Sequence, residues 1–210
     1  MAKIRPIIFL TMLFNLIYGI VVLVLGAVEL SYNTGMAGVY SLIFGITKFY
    51  ALKKYKLVQA NDNATNKEVE KSCLKTIAVC MAVISFLYFS FAIVSTFFHD
   101  EPPSNYGLWV VIFVAGSAFI KLLLAAINSI ITRKNHSKII HHIKLSDIAN
   151  AFIALGLTQR AILYFTEHEY AKLISGIGGV FFGVCALALC LGMFLKKYRL
   201  PLDKSQTERG

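Results

Sequence analysis

In the stretch GSAFIKLLLAAIN, from Gly116 to Asn128, one lysine stands in an otherwise apolar run. Lys121 has Ser117 one helical turn before it and Asn128 two turns after it. Residues three, four or seven apart share a helix face. Two further polar sets have the same spacing: Thr11, Asn15 and Tyr18, and Asp147, Asn150 and Thr158. A charge at mid-membrane depth costs about 2.5–3.5 kcal/mol on insertion scales, so something must compensate it. The candidates for Lys121 are Asn15, Tyr18, a backbone carbonyl, water or a bound anion. Asp147 is expected near the cytoplasmic end of its helix, which leaves no carboxylate at the depth of Lys121. An external anion or a lipid headgroup is therefore a natural partner. The candidate binding cluster is Lys121, Asn15, Tyr18, Ser117 and Asn128. Gln159, Arg160, Asn150 and Thr158 form a secondary polar set. Lys48 and Arg160 fall near span ends, where long basic side chains snorkel to the interface.

The elements that hold these residues are set by composition. Of 210 residues, 57% are hydrophobic and 15% are charged, and mean hydropathy is +0.67. A soluble domain has about 25% charged residues. The excess lies in runs of about 20 residues, each long enough to cross a bilayer core as a helix. We expect an all-α membrane protein with six spans, at about 6–29, 35–52, 75–98, 106–131, 145–165 and 171–194. The first run is longer than the apolar region of a signal peptide and is read as a membrane helix. Residues 1–200 form one domain and 201–210 a short tail.

The connectors alternate in kind. The N-terminus, the connectors 53–74 and 132–144, the tail and the adjoining helix ends carry 17 Lys/Arg against 6 Asp/Glu. The short connectors and their adjoining helix ends carry Lys172 against Glu29, Asp100, Glu101, Glu167 and Glu169. By the positive-inside rule both termini are cytoplasmic and the helices form three antiparallel hairpins. The sequons at Asn63 and Asn135 then face the cytoplasm. The inward helices end alike, in FYALKKYK, SIITRKN and MFLKKYR, which is either a weak repeat or shared topology chemistry.

Small residues let membrane helices approach closely. The last span has Ser175, Gly179, Gly183, Ala186 and Cys190 on one face, and the second has Ala37, Ser41 and Gly45. Such seams serve internal packing or self-association. The four cysteines form no CxxC pair and read as small apolar packing residues. The KKYK run attracts anionic lipid at about 1 kcal/mol per base. HSKIIHHIK reads as a solvated amphipathic interface segment, with metal ligation poorly supported by its three histidines. ATNKEVEK reads as the capped start of a helix running into the third span. No phosphate loop, HExxH or nucleophile elbow occurs. We therefore expect no catalytic residues, no metal, no cofactor and no enzyme activity.

The stretch IKLSDIANAFIALGLTQRAIL, followed after a short turn by GIGGVFFGVCALALCLGMFL, resembles a group of uncharacterised small six-span integral membrane proteins of Firmicutes. The resemblance covers about the last third of the chain. It implies a multi-pass protein of the bacterial cytoplasmic membrane and carries no activity. Two functions are expected from the residues. One is a small accessory or interaction protein, such as a protective, regulatory or assembly subunit. The other is a small transporter or channel-like protein for an anionic or amphipathic solute, using Lys121 and the polar stripes. The expected partners are the bilayer, with anionic lipids at the cytoplasmic face, and another membrane protein or a second copy. Nucleic acid is not among them.

Overall fold

A computed structural model describes residues 4–28, 32–60, 65–97, 108–132, 137–166 and 170–198. Six helices account for nearly all of them: α1 (Ile4–Val28), α2 (Tyr32–Ala60), α3 (Thr65–Phe97), α4 (Leu108–Ile131), α5 (Lys138–Phe165) and α6 (Ala171–Tyr198). Each is long and apolar enough to cross a membrane. The sequons at Asn63 and Asn135, His136, Pro102, Pro103 and the tail 201–210 lie outside the described residues.

The helices are longer at their basic ends than the apolar runs predict. α2 continues through KKYKLVQA and α5 begins at Lys138, while α3 begins at Thr65, within the ATNKEVEK stretch read as a helix start. Hydropathy marks where a helix could sit in lipid and is silent on where it stops in water. These extensions are rich in strong helix formers and bury residues of their own. Tyr55, Cys73 and Leu74 all join the core. HSKIIHHIK, expected as a solvated interface segment, instead supplies the first turns of α5. Ile139, Ile140 and Ile143 are buried in the same core, and His142 is buried beside them. The 3.6-residue period places these apolar residues together on the inward face.

Contacts show how the helices run. Gly19 lies against Leu42, Gly38 against Leu23 and Gly45 against Leu16, so α1 and α2 are antiparallel and very close. A Cβ added at Gly38 would fall 2.6 Å from the Leu23 backbone nitrogen. Glycine is required there because two backbones meet. α3 and α6 are also antiparallel: Gly183 sits on Phe89, Gly179 on Ala92, and Cys190 Sγ lies 3.4 Å from Ser85 Oγ.

The expected middle hairpin is not a packed pair. α3 and α4 make no contact among the described residues. α5 contacts both of them, and also α2 and α6, so it takes the place that a hairpin partner would have filled. The main apolar core draws on α1, α2, α3, α5 and α6, and no α4 residue belongs to it. The buried face of α4 carries Ser117, Lys121 and Asn128 among small and apolar residues.

Candidate functional site

Four helices contribute polar residues to one buried cluster. α1 supplies Thr11, Asn15 and Tyr18, and α2 supplies Ser41 and Lys48. α4 supplies Ser117, Lys121 and Asn128, and α5 supplies Asp147 and Asn150. All of these residues are buried. Within each helix they are three, four or seven residues apart, which aligns them on one face.

Lys121 points inward. Its Nζ donates to Ser41 Oγ at 2.7 Å and stands 4.1 Å from the centroid of the Tyr18 ring. A desolvated cation–π contact contributes about 2 kcal/mol, comparable to the insertion cost of the charge. The Tyr18 hydroxyl pairs with Ser117, and the ring stacks on Phe113 at 5.7 Å. Ser117 Oγ donates to the Val114 carbonyl at 2.7 Å, so its donor is satisfied within α4 and its oxygen can still accept.

Lys48 does not snorkel. It forms a buried ion pair with Asp147. Snorkelling was expected because the second span appeared to end at Leu52. The helix runs on to Ala60, which puts Lys48 about 18 Å from its end. Asp147 is likewise not terminal. It lies nine residues inside α5, about 14 Å from the start. Asp147 therefore lies at the level of Lys48 and Asn128, about two helical turns from Lys121 along α4, where Lys121 meets Ser41 and Tyr18 instead. Asn128 Nδ2 donates to Asp147 Oδ2 at 2.6 Å, and Asn150 Nδ2 donates to Asn15 Oδ1 at 3.0 Å. Asn128 Oδ1 has no hydrogen-bond partner among the described residues.

Thr11, Asn15, Lys48, Lys121, Asp147 and Asn150 help to line a cavity of about 10 Å³. That is close to the minimum for one water molecule. The cluster brings two amines and one carboxylate to this space. With both amines protonated, one positive charge is in excess. Such an excess in a low-dielectric interior attracts an anion strongly.

The secondary polar set divides. Asn150 joins the cluster. Thr158 is buried on α5 with its hydroxyl 3.5 Å from the Val114 carbonyl. Gln159 turns to α6, where it fills the space over Gly178 and Nε2 donates to the Ile174 carbonyl at 3.4 Å. Arg160, expected to snorkel, is buried between the rings of Phe91 and Tyr164, at 5.5 and 5.4 Å. Its guanidinium thus lies near two aromatic rings inside the bundle, not at the headgroup level that its position near the span end suggested.

The small-residue seams lie inside the bundle. Gly179, Gly183, Ala186 and Cys190 face α3, while Ser175 is buried with its hydroxyl on the Lys172 carbonyl at 3.0 Å. Ala37 is buried beside Tyr18 and Val22, Gly45 faces α1, and Ser41 holds Lys121. Sequence reasoning placed Ser41 among packing residues and omitted Lys48 and Asp147 from the site. One signal was available: Ser41 and Lys48 are seven residues apart, on the same face as each other. No group of three His, Cys, Asp or Glu side chains placed to hold a metal occurs among the described residues.

No protein-family model matches the chain, and no curated protein matches it.

Proposed function

We propose that this chain is a small membrane transport protein for an anionic or amphipathic solute, with Lys121 as the residue that engages the negative group. The observation that carries this reading is that Lys121, Lys48 and Asp147 line one small cavity, with Asp147 paired to Lys48. Intramembrane charges are costly and mark solute or ion pathways. Here Lys48 is matched by Asp147, while among the described residues Lys121 meets the Ser41 hydroxyl and the Tyr18 ring.

The packing of α4 fits this role. Its inward contacts include Lys121 to Ser41, Asn128 to Asp147 and Ser117 to Tyr18. Polar contacts of this kind can be exchanged for contacts with water or solute, whereas a tightly packed apolar seam cannot. Displacement of α4 from α1 and α2 would open the cavity around Lys121. The basic helix ends support, by the positive-inside rule, a cytoplasmic location for both termini.

The accessory-subunit reading rests on compact loops, small-residue seams and the absence of recognisable catalytic motifs. Those seams face other helices of the same chain, so that part of its support is weakened. The test is reconstitution into proteoliposomes on a solid-supported membrane, followed by jumps of inorganic phosphate, short-chain carboxylates and anionic detergents. Transport predicts a current for at least one class that is lost in Lys121→Met. Silence across the panel, with a stoichiometric membrane protein co-purifying from native membranes, would favour the accessory role.

A further inference from the structure

A second cavity lies apart from the Lys121 cluster, between α1 and the basic end of α2. Its volume is about 490 Å³, within the range of about 300–1,000 Å³ typical of small-molecule sites. Phe9 and Met12 of α1 and Phe49 and Leu52 of α2 form its apolar wall. Lys53 and Lys56 also line it, and both are exposed.

The register of the helix pair explains this division. Contacts between α1 and α2 join residues whose numbers run in opposite order, from Gly38 with Leu23 to Gly45 with Leu16. Continued toward the end of α2, the same register sets Lys53 and Lys56 beside the first turns of α1. The tight glycine contacts end at Gly45, and the groove opens beyond it. Large side chains replace small ones there: Phe49, Leu52 and Tyr55 on α2, and Phe9 and Met12 on α1. The groove is thus apolar along the helices and cationic where they leave the span.

We propose that this groove binds one anionic glycerophospholipid, with an acyl chain along Phe9, Met12, Phe49 and Leu52 and its phosphate between Lys53 and Lys56. Charge complementarity selects the headgroup. Two ammonium groups one helical turn apart on α2 favour a net-negative lipid over a zwitterionic one, whose choline would add a third positive charge. The apolar wall selects a lipid over a free anion, because phosphate alone would leave the groove uncovered. This proposal needs the chain to be in a bilayer and is independent of any transport by the Lys121 cluster.

The test uses local fluorescence. The chain has a single tryptophan, Trp109, so Phe9→Trp in a Trp109→Phe background reports from the groove. Ile177→Trp in the same background reports from an exposed position on α6. Each is reconstituted into vesicles of phosphatidylcholine and phosphatidylglycerol, with bromine on the acyl chains of one lipid or the other. At position 9, brominated phosphatidylglycerol should quench at least threefold more effectively than brominated phosphatidylcholine. At position 177 the ratio should be near one. Lys53→Gln with Lys56→Gln should bring the ratio at position 9 close to one, and both side chains are exposed, so the fold is retained. Equal ratios at positions 9 and 177, or a preference that survives the double substitution, would overturn the proposal. So would loss of the preference on adding inorganic phosphate at millimolar concentration and constant ionic strength, since that would identify a free-anion site.

Discussion

Lys48 of α2 and Asp147 of α5 form an ion pair inside the helix bundle, and Asn128 of α4 donates to the same carboxylate. Three helices thus meet on one side chain. Breaking a buried pair by removing one partner typically costs about 3–5 kcal/mol, because the other charge is left uncompensated. Asp147→Leu should therefore lower the melting temperature in detergent sharply, and Lys48→Met should do the same. The double variant should recover much of the loss, since a well-packed apolar pair can replace a buried ion pair. Additive losses in the double variant would show that the two residues are not coupled.

Lys121→Met separates structure from function. The variant loses the contacts to Ser41 and the Tyr18 ring, and with them the desolvation cost of the amine. Melting should be unchanged or slightly higher. Anion-evoked current should disappear. A variant that melts normally and retains full current would remove Lys121 from the proposed pathway.

Glycine substitutions should sort by what a side chain would meet. At Gly183 a Cβ falls 3.2 Å from Phe89, and larger groups must force α6 away from α3. Gly183→Leu should cost about 1–3 kcal/mol through overpacking. Gly116 and Gly192 have nothing within 4 Å of an added Cβ. Alanine at Gly116 should stabilise α4 by a few tenths of a kcal/mol to about 1, through helix propensity. Thermal unfolding of the two single variants decides the order.

Topology is open to chemical labelling. In a cysteine-free background, single cysteines at Asn33, Ser104 and His168 should react with an impermeant maleimide added to intact cells. Cysteines at Asn61 and Ser137 should react only after permeabilisation. The opposite pattern would invert the proposed orientation.

Much of this protein is written in local sequence. The six apolar runs specify six helices because a stretch of about 20 apolar residues must satisfy its backbone internally in lipid. The spacing of Thr11, Asn15 and Tyr18, or of Ser117, Lys121 and Asn128, aligns each set on a face because a helix repeats every 3.6 residues. Both facts concern single helices and need no partner. Helix ends in water were less legible: the extensions around Lys53 and Ile140 hold their shape by burying Tyr55, Ile139 and Ile143 against other helices.

Which faces meet was settled by the tertiary structure alone. Periodicity gives a helix a polar side but not the neighbour toward which that side turns. Ser41 looked like a spacer between helices until Lys121, 80 residues away, was placed on its hydroxyl. Lys48 looked terminal until Asp147 was brought beside it. Arg160 was placed between two rings on different helices, Phe91 of α3 and Tyr164 of α5. The cost of a buried charge told in advance that Lys121 needed compensation. The identity of the compensating groups depended on long-range packing, in which α5 separates α3 from α4 and gathers the polar faces of four helices around one small cavity.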